Sequence, residues 1–200
     1  MYISHILFPV KVLGPGNRIG IWMAGCIHSC PGCSNPELWV QDEKHKTNLD
    51  SVMELISLVV SQNTVDGFTI TGGDPFYQPE ALRTLIQAIR PISPDILVYT
   101  GYQYEDLPQD IIDQVAVIID GKYEAEKNTG EILRGSNNQR IFVKPEFQKL
   151  YNDYTKSRKS EIQNFSTKDG IISVGIHLPG YEMELKKAAL EKGLEETKNV

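Results

Sequence analysis

The chain reads as an α/β protein, a parallel sheet with helices packed outside it. Three observations predict this. Apolar runs of strand length alternate with segments of helical spacing in the order βαβαβαβ, the order of strands joined by crossover helices. The strand runs are almost continuously apolar, as strands covered on both faces are. The residues with chemistry to offer fall just after the strands, along one edge of such a sheet, where sites gather in these folds.

Residues 18–24 (Arg-Ile-Gly-Ile-Trp-Met-Ala) give a short buried strand that delivers the chain to a cysteine loop. Leu49, Val52, Met53, Ile56, Val59 and Val60 then recur at helical spacing. Thr47, with Asp50 three residues on, suits the start of that helix. The next strand, 67–71, ends in Thr71-Gly72-Gly73-Asp74-Pro75. Pro79 opens a second helix with Leu82, Leu85, Ile86 and Ile89 on one face. Strands recur at 95–100 and 115–119, with a short helix between them. They end at Thr100-Gly101-Tyr102 and at Asp120-Gly121-Lys122.

The C-terminal part is less regular. From Lys144 to Lys168 the chain is polar, with aromatics at Phe147, Tyr151, Tyr154 and Phe165, which fits a surface helix or a mobile connection. Gly170 to Tyr181 reads as a final strand and turn, and 182–193 as a charged helix. Val174-Gly175-Ile176 is expected to complete the sheet; the alternative is that it offers backbone to an adenine.

Composition bounds the function. At 200 residues, 40% hydrophobic and 23% charged, residues 1–200 make one globular domain of ordinary size. The net charge of −6 argues against broad nucleic-acid binding, which needs basic surface. No apolar run is long enough to span a bilayer, and the start Met-Tyr-Ile-Ser-His lacks the basic region of a signal peptide. A cytoplasmic protein is expected, with no membrane partner and with thiols free to bind metal.

The three cysteines all sit in one run, Cys26-Ile-His-Ser-Cys30-Pro-Gly-Cys33. Structural zinc and ordinary four-thiolate clusters want four protein ligands. With three thiolates, an iron–sulfur cubane keeps one iron open to a ligand from outside the protein. Zinc held by the same cysteines with His28 is the alternative, although zinc spacings usually place a second ligand pair well downstream. A disulfide framework would leave one thiol over.

The C-x3-C-x2-C spacing resembles the signature of the radical S-adenosylmethionine (radical SAM) superfamily. Leu13-Gly-Pro-Gly-Asn-Arg-Ile19 is similar to the glycine-proline-glycine entry of glycyl-radical activases. Residues Trp22 to Trp39 are similar to the activases of anaerobic (class III) ribonucleotide reductases, which share Gly32 before the third cysteine. Ile132-Leu-Arg134-Gly-Ser136-Asn-Asn138-Gln139-Arg140 matches their Arg-Gly-Ser-x-Asn-Gln run. The resemblance covers about residues 5–145, so 1–145 is the family core. Compact members end near Arg140 or soon after, which leaves 146–200 as an extension.

The resemblance implies an open, partial α/β barrel of the radical SAM type. Sequence pattern alone does not separate that from a doubly wound sheet. It implies a [4Fe-4S] cluster on Cys26, Cys30 and Cys33 and S-adenosylmethionine chelating the open iron. Gly72 and Gly73 would let backbone approach the cofactor, and Asp74 or nearby carbonyls would accept from its ammonium. Thr100, which ends the third strand at the same edge, is expected among the cofactor contacts. Asp120 is expected at the ribose hydroxyls and Lys122 at the cofactor carboxylate. Arg134 and Ser136 belong to a segment for cofactor contact, partner docking or loop stapling. The same sites read without the resemblance are plain turns at strand ends.

The activity implied is reductive cleavage of S-adenosylmethionine to methionine and a 5′-deoxyadenosyl radical. That radical would take a hydrogen atom from a backbone glycine of a glycyl-radical enzyme, foremost an anaerobic ribonucleotide reductase. Cluster potentials reach about −700 mV, so a flavodoxin or ferredoxin-type donor is expected. No protein acid, base or nucleophile is needed beyond cluster and cofactor, and His5, His28, His45 and His177 read as structural or surface residues. Two alternatives remain: a radical SAM enzyme acting on another glycyl-radical enzyme or a peptide, and a non-enzymatic iron–sulfur electron carrier or redox sensor.

Overall fold

The computed structural model describes residues 1–157, 160–167 and 170–191. Six strands form one sheet in sequence order: β1 (Ile3–Val10), β2 (Arg18–Met23), β3 (Gly67–Gly72), β4 (Ile96–Tyr99), β5 (Val117–Asp120) and β6 (Arg140–Val143). β2 to β5 are mutually parallel, as the sequence predicts. β1 and β6 flank them antiparallel and were not expected. The sheet is therefore mixed, mostly parallel, and does not close on itself.

Three helices fill the crossovers: α1 (Leu49–Gln62), α2 (Pro79–Ile89) and the short α3 (Gln109–Ile112). Alternate strand residues share a face. Ile19, Ile21 and Met23 of β2, Phe68 and Ile70 of β3, and Ile96 and Val98 of β4 all meet Val52, Ile56, Leu82, Leu85, Ile86 and Ile111. So all three crossover helices lie on one face. A sheet wound without reversal puts successive right-handed crossovers on the same side, which excludes the doubly wound alternative.

The opposite face is covered by the C-terminal segment. The region from Lys144 to Lys168 holds a helix, α4 (Gln148–Ser157), whose Tyr151 and Tyr154 pack on Leu97, Val117 and Ile119. β7 (Ile162–Thr167) and β8 (Gly170–Gly175) form a separate antiparallel hairpin. Its Phe165, Ile172 and Val174 pack with Trp22, Leu13 and Val10. The expectation that Val174-Gly175-Ile176 completes the sheet is thus corrected: among the described residues the strand pairs only with β7, and its apolar side chains pack on the sheet face instead. The terminal helix, α5, runs Tyr181–Glu191, and the last two residues of the expected 182–193 helix lie outside the described residues.

Candidate functional site

The cysteine loop leaves β2 at its carboxyl end. It is pinned at its root by Gly25 N–H to Leu38 O (2.8 Å) and Cys26 N–H to Trp39 O (2.9 Å). Beyond that, Cys33 N–H returns to Cys30 O (3.1 Å). Three conformations bend the loop back: Gly25 at φ 109°, Ser29 at 47° and Gly32 at 74°. All three thiols are free and half-buried.

The thiol surroundings suit a cluster. His28 N–H points at Cys26 Sγ and Asn35 N–H at Cys33 Sγ, both at 3.4 Å. Burial pushes the Cys26 thiol up, opposed by that His28 donor; burial also raises Cys30, opposed by the Tyr123 N–H and the Lys122 charge. Donors aimed at sulfur favour thiolate, and iron would supply the compensating charge that burial demands. Trp39 Nε1 is buried and has no hydrogen-bond partner among the described residues, a donor open to an acceptor. Among the described residues no three His, Cys, Asp or Glu groups converge on a single ion. His28 Nε2 instead faces Asp74 Oδ2 at 2.9 Å, so the zinc set with His28 is not assembled.

The glycines after β3 serve the loop root. A Cβ on Gly72, which sits at φ 113°, would stand 2.3 Å from Met23 O; one on Gly73 would stand 2.5 Å from Gly25 O and 2.6 Å from Leu38 O. Gly73 N–H donates to Met23 O (2.7 Å) and Asp74 N–H to Gly25 O (2.8 Å). The close approach expected for a cofactor is here an approach of backbone to backbone.

The Asp74 carboxylate is 1% exposed and accepts from four donors. Oδ1 caps the single turn Pro75–Tyr77 through Phe76 N–H (2.9 Å). Thr100 Oγ1 donates at 3.0 and 3.1 Å, Gly101 N–H at 2.8 Å, and His28 makes the fourth bond. Asp74 and Thr100 therefore join the ends of β3 and β4.

Asp120 is fully buried. Its Oδ2 takes Tyr104 N–H (2.7 Å) and the Arg140 guanidinium spans both oxygens, with Nε to Oδ1 at 3.0 Å. Within the chain this carboxylate ties the loop after β4 to the start of β6. Lys122, by contrast, is exposed, lies beside Cys30, and its ammonium makes no hydrogen bond or ion pair among the described residues.

Ser136 is buried, and its hydroxyl accepts from Glu124 N–H (3.1 Å). Gln139 accepts from Gly135 N–H (2.7 Å) and donates to Gly121 O (2.8 Å), so this run staples the loop after β5. Arg134 stands apart, 3.7 Å from Glu131, on the wall of a cavity of about 750 Å³ that Ile162, Ile176 and Tyr181 of the C-terminal segment help to close. Sequence reading missed the roles of His28, Arg140 and Tyr123. For His28 the signal was its place between two ligand cysteines; for Arg140, its place at the end of the Arg-Gly-Ser-x-Asn-Gln match.

A 4Fe-4S single cluster domain model matches residues 12–142, from before β2 to within β6. The anaerobic ribonucleoside-triphosphate reductase-activating protein of Enterobacteria phage T4 is 39% identical over 136 residues, covering 66% of this chain and 86% of its own. The protein of the same name from Escherichia coli is 34% identical over 146 residues, covering 68% and 94%. That from Vibrio cholerae is 31% identical over 147 residues, covering 68% and 95%. With three cysteines in C-x3-C-x2-C spacing at the carboxyl end of a mostly parallel sheet, the chain belongs to the 4Fe-4S single cluster family, among the reductase-activating proteins.

Proposed function

We propose that this chain is a radical SAM oxidoreductase that installs a glycyl radical on an anaerobic ribonucleotide reductase in the cytoplasm. The observation that carries the reading is the loop of three thiols at the sheet's carboxyl edge, in a chain that has no fourth cysteine. A [4Fe-4S] cluster held there would supply one electron for reductive cleavage of S-adenosylmethionine, the chemistry that hydrogen abstraction from a glycine would need.

The chain's own part is to hold and orient. Cys26, Cys30 and Cys33 bind three irons. Lys122 meets the cofactor carboxylate as a compact cation. Asp74, Thr100 and Asp120 act on the cofactor at one remove, by fixing the loops at the ends of β3, β4 and β5. The open sheet with its helices on one face is read as the partial barrel of this superfamily. The electron comes from a flavodoxin or ferredoxin-type donor. No described helix is long and apolar enough to cross a membrane.

The test is anaerobic reconstitution with iron and sulfide, then dithionite and S-adenosylmethionine. Release of 5′-deoxyadenosine, and a glycyl-radical doublet when the reductase is added, is the expected result. An electron carrier or sensor would release none. Cleavage without a doublet on the reductase would move the target to another glycyl-radical enzyme or a peptide.

A further inference from the structure

His28 is the one residue between Cys26 and Cys30 whose side chain reaches the sheet. That side chain is 7% exposed, although both of its chain neighbours, Ile27 and Ser29, are exposed. Its ring lies edge-on to Tyr102, with centroids 4.6 Å apart. It fills the space beside Gly101 so closely that a Cβ there would stand 2.4 Å from the ring. Its Nε2 meets Asp74 Oδ2 at 2.9 Å. Facing a carboxylate, that nitrogen is the one that carries hydrogen.

The Asp74 carboxylate offers about four acceptor sites. Three donors come from the ends of β3 and β4 themselves: Phe76 N–H, Thr100 Oγ1 and Gly101 N–H. These are fixed by the fold. The fourth is His28, and it alone comes from the cysteine loop. Ser29, next in the chain, holds a positive φ of 47°, which is costly for serine and persists only where the surroundings impose it.

We infer that His28 is a positioning residue: it ties the span between Cys26 and Cys30 to Asp74 at the end of β3. This rests on the cluster assignment above. Without the tie, the hydrogen bonds that hold the span among the described residues are those at its root and the Tyr123 N–H at Cys30. The thiols would then sample more arrangements and capture a cubane less completely.

The test compares wild type, His28→Phe and His28→Gln. Phenylalanine keeps the shape beside Tyr102 and Gly101 but donates nothing; glutamine restores a donor at similar reach. Each full-length chain is reconstituted anaerobically. Iron and sulfide per chain, the electron paramagnetic resonance spectrum of the reduced cluster, and S-adenosylmethionine affinity of the loaded fraction are measured, with thermal melting as the folding control. His28→Phe is expected to fall about threefold or more in bound iron with a broadened spectrum. His28→Gln is expected to recover both, and cofactor affinity of the loaded fraction to stay within about twofold. Wild-type loading in His28→Phe overturns the inference, as does poor loading in His28→Gln. A change confined to cofactor affinity also overturns it, because His28 would then be a place-holder for the ammonium. Should wild type itself hold no cluster, it is the cluster assignment that fails.

Discussion

Lys122 and Asp120 stand two residues apart at the end of β5 and do opposite things. Asp120 is buried and bound to Arg140, whereas Lys122 is exposed beside Cys30. Of the two charges, the lysine's is the one that no described residue engages. Lys122→Gln is therefore expected to weaken S-adenosylmethionine binding about tenfold, the loss of one charge-assisted contact, with bound iron unchanged. Equilibrium binding to the reconstituted protein checks this. His5 offers a second measurement at the same scale. It stacks on Trp22 with centroids 4.6 Å apart, and burial, with the His45 charge adding, lowers its pKa from 6.5 to about 4. As pH falls the unfolded chain takes up this proton first. The stability tied to neutral His5 is thus complete above pH 6.5, declines between 6.5 and about 4, and is flat below. Its full span is at most about 3 kcal/mol, of which about 2 kcal/mol is lost between pH 7 and pH 5. His5→Phe keeps the ring stack and should remove that slope from urea unfolding curves; an unchanged slope would mean that His5 binds its proton equally in the folded and unfolded chain.

At the scale of elements, the strong periodic segments were legible. α1 and α2 lie where apolar spacing puts them, and Pro79 starts α2 as expected. The start of α1 was displaced by one residue. Asn48, not Thr47, is the cap, and its side chain accepts from Ser51 N–H at 2.9 Å. Asn48→Ala is expected to cost about 1 kcal/mol of stability, read as a lower urea midpoint with an unchanged slope. β1 and β6 were not legible. Each is an edge strand, mostly half-covered, so neither shows the burial on both faces that marks the strands between them. β6 is also only four residues long and directly follows a polar loop. The hairpin β7–β8 misled for the opposite reason: its apolar residues are genuine, but they pack across the sheet face rather than along its edge.

For the molecule as a whole, the C-terminal segment is joined to the family core through a buried polar cluster. Arg18 Nη1 pairs with Asp95 Oδ2 at 2.7 Å, Arg18 Nε donates to Thr69 Oγ1 at 2.8 Å, and the Tyr151 hydroxyl of α4 donates to Asp95 Oδ1 at 2.6 Å. Tyr151 lies beyond residue 142, where the family match ends. A buried carboxylate that loses a donor retains its desolvation cost, so Tyr151→Phe is expected to destabilise the whole chain by about 2 kcal/mol in urea unfolding. A variant as stable as wild type would show that α4 rests on the core without supporting it.

The sequence by itself determined the number and spacing of the thiols, the alternation of parallel strands and helices, and the strand ends where polar residues collect. Those features are local: they depend on spacing within a few residues and on the two side-chain periods. Tertiary structure alone decided which polar groups remain available. Asp74 is met by Thr100 across 26 positions and Asp120 by Arg140 across 20. Whether a carboxylate faces a ligand or its own chain depends on partners brought near by the sheet register, and no spacing within a loop records them.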